Sequence, residues 1–237
     1  MTSKTVALIT GANKGLGLEV AKQLGQTGIT VVLGARDATK GKAAADSLVA
    51  LGIDAHHVVL DVSNDAQVAA LPGFFAEKFG RLDILVNNAG VAEWRKDDLA
   101  VFRTTFEINV FGVVAVTYAL LPLLLASPAG RIVNHSSVLG SLTSIMKAPD
   151  NFGNFILPAY TASKAALNGF TVSLAHKHRA SKLKINSAHP GWVRTALGGD
   201  QAPMDVVDGA KTAVSLATLA ADGPSGAFFH LGEPLPW

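Results

Sequence analysis

"TGANKGLG", residues 10–17, follows the apolar run "TVALI" (5–9) and carries glycines at positions 11, 15 and 17. A β-branched run, a glycine turn in the spacing GxxxGxG and then an amphipathic stretch read as strand, tight turn and helix. At a helix start the backbone N–H groups lack partners and the dipole favours negative charge, so a phosphate is a natural ligand. Glycines remove the Cβ atoms that would hold the backbone away from it. A plain strand-to-helix turn would use the same residues, so the rest of the chain has to decide.

Outward from that turn the chain alternates. Short apolar or β-branched runs occur at 5–10, 30–35, 55–62, 83–90, 131–137, 184–191 and 227–231, with longer amphipathic stretches at 15–27, 39–51, 65–79, 98–126, 159–180 and 205–221. In "LGLEVAKQLGQTG", Leu16, Val20 and Leu24 recur four apart and Gly28 stands at the helix C-cap. Nearly continuous apolar strands separated by helices predict a parallel sheet covered on both faces. That is a doubly wound α/β (Rossmann) fold of about seven strands. With no repeat, linker or low-complexity segment, residues 1–237 are expected to form one catalytic domain. Pro72-Gly73 is expected to interrupt or restart the third helix.

Composition narrows the function classes. Of the 237 residues, 49% are hydrophobic and 16% charged, which suits a globular enzyme and argues against disorder. The net charge of +2 gives no case for a nucleic-acid or membrane partner. Cysteine is absent, which removes disulfides and thiolate-bound metals. "MTSKTVALIT" is too short an apolar stretch for a secretory core, and "LLPLLLA" (120–126) falls short of a membrane span. A cytoplasmic location is expected. The seven histidines form no metal-binding pattern. His56 and His57 point to opposite faces of a strand, and His176 and His178 do not share a helix face.

Four further motifs follow in order: "NNAG" (87–90), "SS" (136–137), "YTASK" (160–164) and "HPGWVRT" (189–195). Together with the GxxxGxG turn, the chain resembles the short-chain dehydrogenase/reductase family over essentially its whole length. Tyr160 and Lys164, four apart, share a helix face, and an ammonium beside the phenol favours the phenolate, which predicts a lowered Tyr160 pKa. The resemblance implies that Tyr160 protonates the substrate carbonyl oxygen and that Lys164 holds the nicotinamide ribose. It also implies that Ser137 positions that oxygen, with Ser136 as the alternative, and that Asn109 in "FEINVFG" orders a water-linked proton relay. It further places the cofactor against Gly11, Asn13, Lys14, Gly15, Leu16, Gly17, Asp61, Val62, Asn88, Ala89, Gly90, Pro190, Gly191, Val193 and Thr195. His135 stands where the family usually has an apolar residue, and we read it as a core-edge histidine without a catalytic role.

The second strand ends in "GARD" (34–37), with Ala35 where an NAD-selecting acid is commonly found. Arg36, flanked by Lys14, suits a 2′-phosphate and predicts NADP(H); Asp37 turned inward would favour NAD(H). Ser137 and Tyr160 stand 23 positions apart, beyond the family's usual interval. The surplus, 144–159, resembles the insertion of carbonyl reductases in the same family. Phe152, Phe155 and Ile156 within it, with Trp192, are candidates for an apolar substrate pocket. The expected function is NADPH-dependent reduction of hydrophobic ketones, aldehydes or ketoesters. The alternatives are a 3-oxoacyl-thioester reductase, an alcohol dehydrogenase, or a non-catalytic NADP(H)-binding regulator. The expected partner is a small carbonyl or alcohol substrate. A homodimer or homotetramer is open, as is a monomer.

Overall fold

The computed structural model describes residues 4–147 and 157–237. The N-terminal half alternates strictly: β1 (Val6–Thr10), α1 (Gly15–Gln26), β2 (Thr30–Ala35), α2 (Ala38–Val49), β3 (Ala55–Val59), α3 (Asp65–Phe79) and β4 (Ile84–Asn87). Then follow α4 (Leu99–Phe106), a π-helical turn (Glu107–Gly112), α5 (Val113–Ala126) and β5 (Arg131–His135). A 3₁₀ turn (Val138–Gly140) and α6 (Leu142–Lys147) precede α7 (Pro158–Lys177), β6 (Lys184–Ala188), α8 (Val206–Ala217), β7 (Phe228–His230) and β8 (Glu233–Pro234).

The strands form one sheet in the order β3-β2-β1-β4-β5-β6-β7-β8. It is parallel from β3 to β7, and only β8 is antiparallel, paired through Phe229 with Pro234 and His230 with Glu233. The order runs outward both ways from β1 and β4, which opens a crevice beyond their C-terminal ends.

Alternation along each strand feeds two cores. Ala7, Ile9, Val31 and Leu33 pack with Val20, Leu24, Leu48 and Leu216 on one face. Val6, Leu8 and Val32 pack with Leu71, Phe75, Leu120 and Leu124 on the other. Each such large side chain contributes about 1.5–3 kcal/mol on burial, which is why both faces of the central strands are apolar.

The parallel sheet of about seven strands is as expected, with the exposed two-residue β8 added at its edge. One expectation needs correction. Pro72 does not break α3, which runs continuously from Asp65 to Phe79. Its first turn is capped by Asn64, whose side chain accepts from the Gln67 amide at 3.0 Å, and packing of Val68, Leu71 and Phe75 holds the rest despite the missing N–H. At the two ends of 144–159, α6 runs to Lys147 and α7 starts at Pro158.

Leu99–Ala126 is one uninterrupted helical run of 28 residues, much longer than the apolar run at 120–126. Its most apolar window has a mean hydropathy of 2.2, long and apolar enough to cross a membrane, and half of that window is buried inside the fold.

Candidate active site

A cavity of about 780 Å³ opens at the C-terminal ends of β1, β4, β5 and β6. All of the residues that sequence reasoning assigned to the cofactor line it, from the glycine turn and Arg36 through Asp61, Val62 and Asn88–Gly90 to Pro190, Gly191, Val193 and Thr195. Ser137, Tyr160, Lys164 and Trp192 line it too. Phe152, Phe155 and Ile156 lie outside the described residues.

At the floor of the cavity, α1 starts without a cap. The side chains of Asp37, Asn64, Asp98 and Asp205 each accept from a first-turn amide of α2, α3, α4 and α8, at 2.8–3.0 Å. Lys14, at the same position of α1, makes no such bond. The amides opening α1 are therefore left for an external acceptor, facing the cavity, with two positive side chains near by. Gly15 has φ +56°, a left-handed conformation that favours glycine, and a Cβ there would stand 3.7 Å from the Thr195 methyl group. Gly17 answers a different need, since a methyl group there would come within 2.4 Å of Nδ2 of Asn88. That amide donates to the carbonyls of Thr10 (2.8 Å) and Gly11 (3.1 Å), so Asn88 ties the turn to β4. Such an open, positively flanked helix start fits a pyrophosphate.

The charges past β2 are equally ordered. Asp37 is committed to the α2 cap and a 3.5 Å ion pair with Lys40, so it does not turn inward. Arg36 and Lys14 both line the cavity. Hydrogen bonds from the Ser63 hydroxyl (2.6 Å) and amide (3.0 Å) hold the Asp61 carboxyl below its usual range, with a smaller contribution from Arg36.

The two serines beyond β5 both reach the cavity lining, but their side chains have different partners. Ser136 Oγ donates to Oδ1 of Asn168 at 2.6 Å, buried beneath α7. Ser137 lines the cavity with Tyr160, close enough to favour its phenolate slightly, while its Oγ accepts from the Leu139 amide at 3.2 Å. Tyr160 and Lys164 stand one turn apart on α7, with Nζ 5.5 Å from the centre of the Tyr160 ring. The expected lowering of the Tyr160 pKa is not what the site shows. Protein packed around the phenol disfavours the phenolate and pushes the pKa up to about 12, against the smaller opposing effect of Ser137. Burial also pushes the Lys164 ammonium down to about 8.

Asn109 sits in the π-helical turn, a distortion that often marks functional positions. It is fully buried, with its amide bonded to the Val91 carbonyl (2.9 Å), the Ser163 hydroxyl (3.1 Å) and, through Oδ1, the Val91 amide (2.8 Å). A methyl group on Gly90 would lie 3.3 Å from Oδ1 of Asn109 and 3.8 Å from Nζ of Lys164, so the two groups flank that glycine. His135 is buried, with Nδ1 2.9 Å from Oδ1 of Asn88. Because Nδ2 of Asn88 already donates twice, Oδ1 must accept, which puts the imidazole proton on Nδ1.

Sequence reasoning missed part of the wall. Val91, Trp94, Ile108, Leu139, His189 and Leu197 also line the cavity. Trp94 and Trp192 donate their indole N–H groups to successive carbonyls, Leu197 (3.2 Å) and Gly198 (2.8 Å), joining the loops after β4 and β6. Nothing local in the sequence marks Trp94, because the contact spans 103 positions. Among the described residues no group of three or more His, Cys, Asp and Glu side chains is arranged to hold a metal.

A model of the short chain dehydrogenases matches residues 5–205. A protein of Saponaria officinalis named short-chain dehydrogenase/reductase 1 is 34% identical over 100% of this chain and 97% of its own length. Mouse carbonyl reductase [NADPH] 1 is 33% identical over 100% and 99%. The NADPH-bound carbonyl reductase structure from chicken fatty liver superposes with a TM-score of 0.86 at 25% identity, over 99% of both chains.

Proposed function

Because the chain belongs to the short-chain dehydrogenase family and is therefore a nicotinamide-dependent oxidoreductase, we propose that it is an NADPH-dependent carbonyl reductase acting on hydrophobic ketones, aldehydes or ketoesters. The observation that carries this reading is the convergence of Ser137, Tyr160 and Lys164 on one cavity wall that begins at an uncapped helix start.

When bound, NADPH supplies the hydride. The residues of the chain do the rest. The Ser137 hydroxyl orients the substrate oxygen next to Tyr160. The Tyr160 phenol, neutral well above physiological pH, is a proton donor in the form the reduction needs, and it passes its proton to that oxygen as charge develops there. Lys164, charged below about pH 8, stabilises the phenolate left behind and holds the nicotinamide-side ribose. Asn109 fixes the Val91 backbone and α7 about this centre. Arg36 and Lys14 provide the contacts for a 2′-phosphate, and Asp37 is engaged elsewhere.

The test follows NADPH and NADH oxidation against a panel of ketones, aldehydes, ketoesters and acyl thioesters, with Tyr160→Phe as the control. The proposal expects turnover with NADPH on the simple carbonyls. It expects Tyr160→Phe to lose at least a hundredfold in kcat while binding NADPH as before. More than about a tenth of wild-type turnover in Tyr160→Phe would remove that residue from the proton-donor role.

A further inference from the structure

The His189 imidazole is held by backbone on three sides. Its Nδ1 lies 3.3 Å from the amide nitrogen of Val138 and 3.4 Å from that of Gly191. Amide N–H groups only donate, so Nδ1 must be the accepting nitrogen and the ring proton sits on Nε2. The His189 amide donates to the Phe229 carbonyl at 2.8 Å, and its own carbonyl lies 2.9 Å from Nδ1 of His230. The His230 ring, centred 4.8 Å away, packs against it. Ring position and tautomer are thus both fixed by the fold.

That leaves Nε2–H as a donor. Among the described residues nothing accepts from it, and it is not one of the sealed, unpartnered nitrogens, which are Nε2 of His135 and of His178. His189 lines the cavity, and its ring is anchored to the residue next to Ser137. Val91, Trp94, Val138, Leu139 and Leu197 give the same cavity a largely apolar wall beside the Ser137–Tyr160–Lys164 group. A fixed donor in such a cavity sets the orientation of a ligand and adds to its specificity.

We propose that His189 is a specificity-determining residue whose Nε2–H donates to a second oxygen close to the reacting carbonyl, so that the site prefers oxoesters to plain ketones. This rests on the carbonyl-reductase reading above. One oxygen is taken by Ser137 and Tyr160, and the ester oxygen of a 2- or 3-oxoester reaches His189. A plain ketone places a methylene there and leaves the donor unpaired, which lowers its kcat/KM.

The experiment compares ethyl 3-oxobutanoate with 2-heptanone, which has the same chain length and one carbonyl, using NADPH and initial rates. Wild type is measured beside His189→Asn, which keeps an acceptor at the Nδ1 position and loses the distal donor, and His189→Gln, which restores a donor near Nε2. His189→Asn should lower the oxoester-to-ketone ratio of kcat/KM by about two- to tenfold. His189→Gln should recover much of it. His189→Phe, which keeps ring packing against His230, should lower the ratio as Asn does, so an Asn variant that fails to fold leaves the Gln and Phe pair to decide. An unchanged ratio in the folded donor-less variant overturns the role of His189 while leaving carbonyl reduction intact. Wild-type enzyme that reduces neither compound overturns the carbonyl-reductase reading and this inference with it.

Discussion

Nζ of Lys164 donates to the backbone carbonyl of His135 at 2.7 Å, in a buried position directly before the serine pair. This bond pins a helix side chain to the end of a sheet strand. It sets the lysine over the Tyr160 ring and also strips it of water, which lowers its pKa to about 8.

A pH profile follows from that desolvation. Lys164 is charged below about pH 8 and loses its proton as pH rises through it, so kcat/KM for reduction should fall on the alkaline side with a midpoint near 8. The profile of kcat/KM reads the free enzyme, the state described by this geometry. Lys164→Met should abolish that limb and cost at least a hundredfold in kcat/KM. Stability moves the other way: between pH 8 and 10.5 the unfolded chain holds a proton that the folded one has released, so this group's contribution rises with pH. An alkaline limb that persists unchanged in Lys164→Met would assign it to another group.

The serine pair offers a sharper contrast. Ser137→Ala should lower kcat by about a hundredfold or more with only a small loss of stability, that of the 3.2 Å bond its Oγ accepts from the Leu139 amide. Ser136→Ala, which strands Oδ1 of Asn168 in a buried site, should cost about 1–3 kcal/mol of stability and leave kcat within a few-fold. Steady-state kinetics and thermal unfolding on both variants separate the two roles. Equal loss of kcat in both would return Ser136 to the chemistry.

Cofactor choice should rest on Arg36. Losing a charge-assisted phosphate contact costs about 1.5–3 kcal/mol, so Arg36→Ala should raise KM for NADPH by roughly ten- to a hundredfold and change KM for NADH by less than about threefold. Fluorescence titration with both nucleotides checks the same difference without turnover. A small, equal effect on both would mean that Arg36 does not meet the 2′-phosphate.

Acid stability should depend on His135. Burial, with a lesser push from the Lys164 charge, lowers its pKa to about 3. Below pH 6.5 the unfolded chain takes up a proton that the folded chain refuses, so stability falls as pH drops toward 3. His135→Leu should flatten that dependence. It should not abolish it, because His189, held neutral by burial and then by His230, acts in the same direction. Thermal unfolding from pH 7 to 4.5 measures the two slopes, and parallel slopes would reject the assignment.

The alternation of strands and helices was legible because burial on both faces writes a continuous apolar run into each parallel strand, and β1, β2 and β6 begin within a residue of where those runs begin. Tyr160 and Lys164 were legible as a pair because helix periodicity alone puts them on one face. The uncapped start of α1 was half visible: the glycines and the lack of a capping residue stand in the sequence, but that the free amides face the same cavity as Arg36 does not. Asn109 was found only through its motif, since nothing in "FEINVFG" announces a π-helical turn.

What the tertiary structure alone decided are the matters settled by distant neighbours. Ser136 and Ser137 are chemically identical and adjacent, and only the fold commits the Ser136 hydroxyl to Asn168 and leaves Ser137 beside Tyr160 on the cavity wall. Asp37 and Arg36 are neighbours as well, and the start of α2 takes the acid out of the cavity while leaving the guanidinium in it. The pKa of Tyr160 turned out opposite to the sequence expectation because a local pattern shows the nearby charge but not the desolvation that outweighs it. Trp94 and His189 meet Leu197 and Val138 across 103 and 51 positions. Sequence periodicity fixes what each residue does within its own helix or strand; which groups then share water, a proton or a wall depends on contacts that only the folded sheet brings together.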